Sequence, residues 1–223
     1  MNLVLLSGGT LKENKRLHLE MGKRLSRKNR ENFRVTFVPS SSIGWKKDFL
    51  ETKKIFAKLG IKNIELFFVD RDFSKSEEKK LLTSNAIYLD GGNTFYFLHF
   101  LRKSKLLGKL KKYVKNGGTL IGLSAGSILI TPTIDMAAIP RFDRDPNHVR
   151  LNKRNSLGLV NFEFYPHYEE KVRVDRALQR HSKRSPRPLF ACSDGDGILV
   201  RNKKLKFIGR VYRFYRGQKE LIN

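Results

Sequence analysis

Short, nearly continuous apolar runs recur along this chain, and most lead into a stretch whose apolar residues return at helical spacing. The runs Asn2–Leu6, Phe33–Val38, Ile64–Val69, Ala86–Leu89 and Thr119–Leu123 read as strands. The stretches Leu11–Lys28, Trp45–Leu59, Ser76–Leu82, Thr94–Lys103 and Leu107–Lys115 read as helices. A strand that returns to its own sheet through a helix pairs in parallel with a right-handed crossover, and a run apolar on both sides needs cover on both faces. The fold class this predicts is α/β: three layers, α/β/α, around a mostly parallel central sheet. Beyond Ile130 the pattern loosens. Thr131–Asn155 is polar, carries Pro132, Pro140 and Pro146, and reads as a long functional loop. Leu159–Phe164 reads as a strand, Glu170–Ser182 as a helix and Leu189–Cys192 as a strand. Gly197–Val200, Lys206–Ile208 and Val211–Phe214 read as a small antiparallel C-terminal unit, with turns at Asp194–Gly195 and Asn202–Lys203. No repeat or linker divides the chain, so residues 1–223 read as a single domain.

Composition narrows the class. No apolar run is long enough to span a bilayer, and mean hydropathy is -0.46. One cysteine, Cys192, excludes a disulfide framework or a cysteine-rich zinc site and fits a reducing cytoplasm. The opening run has no basic residues ahead of it and reads as a first strand, not a leader. Forty-six basic residues against 21 acidic leave a net charge of +25. Such a charge suits an anionic partner, but the basic residues spread from Lys12 to Lys219, with no zinc-finger spacing and no aromatic RNA-binding pattern.

The chemistry concentrates at Gly122-Leu123-Ser124-Ala125-Gly126, directly after a strand and before a small-residue run that can start a helix. This G-x-S-x-G in a strand–turn–helix context is the pattern of a nucleophile elbow, in which a sharp turn lifts the serine Oγ above the sheet edge. Small neighbours give the turn room, and the free N–H groups of the helix start can hold an oxyanion. A serine hydroxyl needs a base. Of the histidines, His18 and His99 fall inside helices, and His181 lies at an exposed basic helix end. His167, in Phe164-Tyr165-Pro166-His167-Tyr168, follows a strand and is the candidate base, with His148 in reserve. Asp135 is the candidate third group, with Asp143, Asp145 and Glu169 as alternatives. Asp90-Gly91-Gly92-Asn93-Thr94 supplies a glycine turn whose Gly92 N–H can join that of Ala125 in an oxyanion hole. Asn93 is a candidate substrate contact, and Asn93 or Thr94 can cap the next helix. No Gly-Lys-Ser/Thr follows, so this is not a phosphate loop.

Taken together, the Leu89–Thr94 turn, the Gly122–Ser127 elbow, Pro132…Asp135-Met136, Pro166-His167-Tyr168 and Asp194–Val200 resemble the dipeptidase E (aspartyl dipeptidase) family of serine peptidases, to which cyanophycinases are related. The resemblance covers essentially the whole length. It implies a class I glutamine amidotransferase-like fold, with serine where amidotransferases carry cysteine. It implies Ser124 as nucleophile, His167 as base, Asp135 as its orienting acid, and no metal or cofactor. It further implies an arginine that holds an aspartate carboxylate, at Arg173 or, one turn on, Arg176. The segment between elbow and Asp135 and the loop Tyr168-Glu169-Glu170 are both shorter than the family pattern.

The expectation is a cytoplasmic serine peptidase acting on short peptides, in the first place dipeptides with N-terminal aspartate. One alternative is another serine hydrolase, an esterase or a cyanophycinase-like enzyme; no upstream His-Gly-Gly motif supports the esterase. The other is a nucleic-acid-binding protein on an inactive hydrolase fold, which the charge favours and the motifs do not.

Overall fold

Each central strand alternates its apolar side chains between two cores, which is why these segments are apolar at nearly every position. In the computed structural model, which describes residues 2–10, 12–25 and 32–223, β1 (Asn2–Leu6) sends Leu3 and Leu5 to one core and Val4 and Leu6 to the other. β4 (Ala86–Leu89) does the same with Ile87 and Leu89 against Ala86 and Tyr88. With β2 (Arg34–Val38), β3 (Asn63–Leu66) and β5 (Thr119–Leu123) they form a parallel block in the order β3-β2-β4-β5-β1. The helices α1 (Lys15–Arg24) and α2 (Lys46–Lys58) cover one face, burying Leu17, Met21 and Phe56. The other face is covered by α3 (Lys75–Leu82), α4 (Thr94–Lys103), α5 (Leu106–Lys115) and α6 (Ala125–Ile130). The predicted first helix, Leu11–Lys28, is shorter here, and its positions 11 and 26–28 lie outside the described residues. Ser74 caps α3 through a reciprocal capping box with Glu77.

The remainder differs from expectation in instructive ways. β8 (Gly197–Arg201) and β9 (Lys204–Ile208) do not stand apart. They extend the central sheet antiparallel beside β1, making it seven-stranded. Their hairpin turns at Asn202 and Lys203, both at positive φ, as a two-residue hairpin requires. The separate small sheet is built from β6 (Glu163–Tyr165), β7 (Leu189–Cys192), β10 (Val211–Tyr215) and β11 (Gln218–Leu221), in the order β11-β10-β7-β6. Its β6–β7 pair is parallel and the rest antiparallel. β11 is too polar for its sequence to signal a strand; as an edge strand it needs only one paired side. The predicted strand Leu159–Phe164 narrows to β6, because the backbone ahead of it is irregular and bonds to the end of α6: Leu157 and Leu159 donate their amides to the carbonyls of Leu129 and Ile130. α7 (Val172–Ser182) packs on the small sheet, with Val174 and Leu178 buried.

The carboxyl ends of β4, β5 and β1 therefore lie side by side, and the carboxyl ends of β6 and β7 are brought up to them. Ser7 joins the two sheets at this point. Fully buried, it donates its Oγ to the Cys192 carbonyl at 2.7 Å and accepts the His167 amide at 2.7 Å.

Candidate active site

Ser124 sits at φ +49°, ψ −109°, a conformation that L-residues adopt only when the surroundings enforce it. The enforcement is visible. The Ser124 amide donates to the Leu6 carbonyl at 3.0 Å, Gly126 donates to the Asp90 carbonyl at 3.2 Å, and the Ser127 Oγ donates to the Leu6 and Gly122 carbonyls. A Cβ at Gly126 would stand 2.1 Å from the Leu89 carbonyl oxygen, and one at Gly122 would stand 2.4 Å from Gly126 backbone. Both glycines of the motif are required by close backbone approach, Gly126 to the end of β4 and Gly122 to the first turn of α6.

His167 follows β6 and also holds positive φ. Its Nε2 lies 2.7 Å from the Ser124 Oγ. Its Nδ1 lies 2.7 Å from Oδ1 of Asp194, in the turn after β7. A proton on Nδ1 donated to that carboxylate leaves Nε2 as the acceptor for the serine hydroxyl. The Asp194 turn is itself anchored: the Gly195 amide donates to the Gly8 carbonyl at 3.0 Å, and the Asn14 Nδ2 donates to the Gly8 and Gly9 carbonyls. Gly8 fits beneath this pair only because it lacks a side chain. A Cβ there would stand 2.2 Å from the His167 ring and 2.4 Å from the Asp194 carboxylate.

Asp135 is a correction. Its carboxylate does not meet the histidine: it accepts from the Thr133 Oγ1 at 2.6 Å and pairs with Arg154 at 3.3 Å. The imidazole's Nδ1 side faces the end of β7, which brings Asp194 to it, whereas Asp135 lies in a 3₁₀ turn tied to residue 154. In the sequence Asp194–Gly195 reads as a turn, and Asp194–Val200 enters as part of the family resemblance with no role for the carboxylate. The available signal is a carboxylate two residues past the end of a four-residue apolar strand, the same offset that His167 has from β6. The alternatives are also engaged elsewhere: Asp143 with the Tyr165 hydroxyl, Asp145 with the Thr94 amide, Glu169 with Lys171. His148 lies in a different hollow with Ser41 and Tyr96. His181, expected to be exposed, is largely covered and hydrogen-bonded to Glu163 at 2.7 Å. His18 is buried, which pushes its pKa down to about 4.

The glycine turn lies against the serine. A Cβ on Gly91 would be 3.6 Å from the Ser124 Cβ, and Gly92 holds φ +113°. The Gly92 amide has no acceptor among the described residues, and Ala125, at the first position of α6, has no intrahelical acceptor. Asn93 caps α4, accepting from the Tyr96 amide at 2.8 Å and donating to the Pro146 carbonyl. Two clefts of about 390 Å³ each open on either side of Ser124 and share Gly92, Ser124 and His167. One runs past Gly8, Ser41, Trp45, Asp48 and Asp90, the other past Met136, Ile139, Asp143, Asp145 and Tyr165. Arg173 and Arg176 line neither. Arg173 lies over the ring of Phe142, whose sequence neighbour Asp143 lines the second cleft, at 4.5 Å, and Arg176 is exposed.

An elbow serine hydrogen-bonded to a histidine, on a doubly covered parallel sheet, defines a class: hydrolases that use an activated serine. Comparison with known proteins narrows it. The family model for peptidase family S51 matches residues 3–208. An uncharacterised peptidase of Listeria monocytogenes is 28% identical over 176 residues, covering 77% of this chain and 83% of that protein. A protein named peptidase E from a Nostoc species is 28% identical over 141 residues, 62% of this chain and 54% of its own length. Among solved structures, one titled a peptidase E protein from Listeria monocytogenes superposes with a TM-score of 0.72 at 25% identity, covering 93% of this chain and 97% of that one. A peptidase from an acI-B1 actinobacterium shares the fold, with a TM-score of 0.66 at 16% identity. The chain belongs to peptidase family S51, and it is a peptidase of the serine type.

No helix among the described residues is long and apolar enough to cross a membrane.

Proposed function

We propose that this peptidase hydrolyses short peptides through a Ser124–His167–Asp194 relay. The reading is carried by one observation: Nε2 and Nδ1 of a single imidazole lie 2.7 Å from the elbow hydroxyl and from a carboxylate respectively. Ser124 Oγ attacks the scissile carbonyl carbon as its proton passes to Nε2. Asp194 holds the ring in the productive tautomer and stabilises the imidazolium. The oxyanion lies between the amides of Gly92 and Ala125, which are fixed in advance by the glycine turn and the start of α6. The C–N bond breaks as His167 returns the proton to the leaving amine. Water, deprotonated by the same nitrogen, then attacks the Ser124 ester, and release of the acid restores the hydroxyl.

The narrower reading, dipeptides with N-terminal aspartate in a cytoplasmic setting, follows from the family resemblance and rests on Arg173, which stands over Phe142. A dipeptide library incubated with the parent protein and Ser124→Ala, read by mass spectrometry, tests both levels. Cleavage of short peptides lost in the variant supports the relay. Cleavage confined to Asp-X members supports the narrower form. A preference for p-nitrophenyl esters with no peptide cleavage rejects both in favour of an esterase.

A further inference from the structure

The chain carries +25 overall, yet none of the residues lining the two clefts beside Ser124 is lysine or arginine among the described residues; four are aspartates. Two of the four are committed within the protein, Asp143 to the Tyr165 hydroxyl and Asp145 to the Thr94 amide. The other two, Asp48 and Asp90, line the cleft past Gly8 and Trp45 and form no ion pair with any described residue. Asp90 is the unusual one. It is only 4% exposed, it lines this cleft, and among the described residues its side chain meets no donor but the adjacent Gly91 amide. A buried carboxyl with so few partners is costly in its charged form. It also sits at the reaction centre: the next residue, Gly91, lies against the Ser124 Cβ, and the Asp90 carbonyl holds the Gly126 amide of the elbow.

We propose that Asp90, with Asp48 beside it, binds a cationic group of the substrate, an ammonium or guanidinium, in the cleft on the Gly8–Trp45 side of Ser124. This rests on the serine-peptidase reading and names the chemistry its substrate must carry. Two chemical sources fit that group: the free α-amino terminus of a short peptide, or the side chain of lysine or arginine. Burial and the neighbouring Asp48 charge push Asp90 up to about 7, and a cation arriving in the cleft opposes both effects. On a surface that otherwise repels cations at long range, such a group is recognised only by contact inside the cleft, which makes the carboxyl pair a determinant of specificity.

The test compares kcat/KM for Lys-Leu, norleucyl-Leu and N-acetyl-norleucyl-Leu in the parent protein, Asp90→Asn and Asp48→Asn. The parent is expected to favour one charged member of a pair by at least about tenfold. Norleucyl-Leu over its acetylated form identifies the α-amino group, and Lys-Leu over norleucyl-Leu identifies the side chain. Either ratio should fall toward one in Asp90→Asn and fall part of the way in Asp48→Asn. Ratios near one in the parent, or ratios that survive both substitutions, overturn the proposal. Circular dichroism checks that Asp90→Asn folds; if it does not, Asp48→Asn, at an exposed position on α2, carries the test. Persistent cleavage in Ser124→Ala refutes the peptidase reading separately. If the parent cleaves none of the three, calorimetry on Ser124→Ala decides the binding claim: about tenfold tighter binding of a charged member supports it, and equal binding overturns it.

Discussion

Asp194 and Asp135 are both partly exposed loop aspartates, each pairing with a basic side chain, and only one of them is on the candidate base. The region after β7 and the region after α6 differ in what holds them. The β7 turn is bolted to the first strand's exit through Ser7, Gly8 and Asn14, so its carboxylate has a fixed position against His167. The segment after α6 is bolted to residues 154–156 instead: Ile134 donates its amide to the Arg154 carbonyl, Ser156 donates its amide to the Pro132 carbonyl, and the Asp135 carboxylate accepts from Arg154. Nearness in sequence to the nucleophile counts for little here. Which strand ends face one another across the sheet edge decides which acid reaches the imidazole.

Substitutions in the two regions should have very different effects. Ser124→Ala should lower peptide turnover on the order of 10⁵–10⁶-fold with the fold intact, measured as kcat beside a thermal melt. Asp194→Asn should lower kcat by about 10⁴-fold, because the amide favours the wrong tautomer of His167. Asp135→Asn should leave kcat close to that of the parent; if these two aspartates exchanged effects, the assignment of the acid would be wrong. Gly8→Ala should cost roughly 10²-fold in kcat/KM by pushing the ring and the carboxylate off their line, with little change in melting temperature. Gly126→Ala makes the complementary point. Its Cβ would meet the Leu89 carbonyl in the packed core, so it should destabilise the protein by about 1–3 kcal/mol as well as disturb the elbow.

A smaller effect concerns pH. Asp90 has a folded-state pKa pushed up to about 7 from an ordinary carboxylate value, chiefly by burial. The folded protein then holds a proton that the unfolded chain has already lost, so stability from this group is full at low pH and drains away as pH rises toward 7. Asp196, raised to about 6 by burial, adds in the same direction, while His18, depressed to about 4, acts oppositely as pH falls below its ordinary value. Asp90→Asn should therefore melt at a higher temperature than the parent by a margin that widens from about pH 5 to about pH 8. A margin that stays constant across that range would show that Asp90 does not titrate in this window.

The fold was legible because its strands are covered on both faces, and two-sided burial writes an unbroken apolar run, as in Val4–Leu6 and Ala86–Leu89. The elbow was legible for a related reason: a turn with no room for side chains leaves Gly122, Ala125 and Gly126 in the sequence. His167 could be found by its place after a strand. What could not be read was long-range pairing. Nothing in Gly197–Ile208 says that it adds to β1 instead of to β7, and that choice sets which loop faces the imidazole. Ser7, 160 residues from His167 and holding its amide, carries no local signal of that contact. The charge inversion between surface and cleft was equally hidden, because Asp48 and Asp90 come together only through packing.

In the mechanism we propose, one hydroxyl, activated by one histidine that Asp194 holds, performs the hydrolysis. A fluorophosphonate probe with peptide mapping tests it most directly. The expected result is a single adduct on Ser124, formed rapidly in the parent and in Asp135→Asn, slowly in Asp194→Asn, and absent in Ser124→Ala. An active parent that carries no adduct, or carries it elsewhere, would contradict the account.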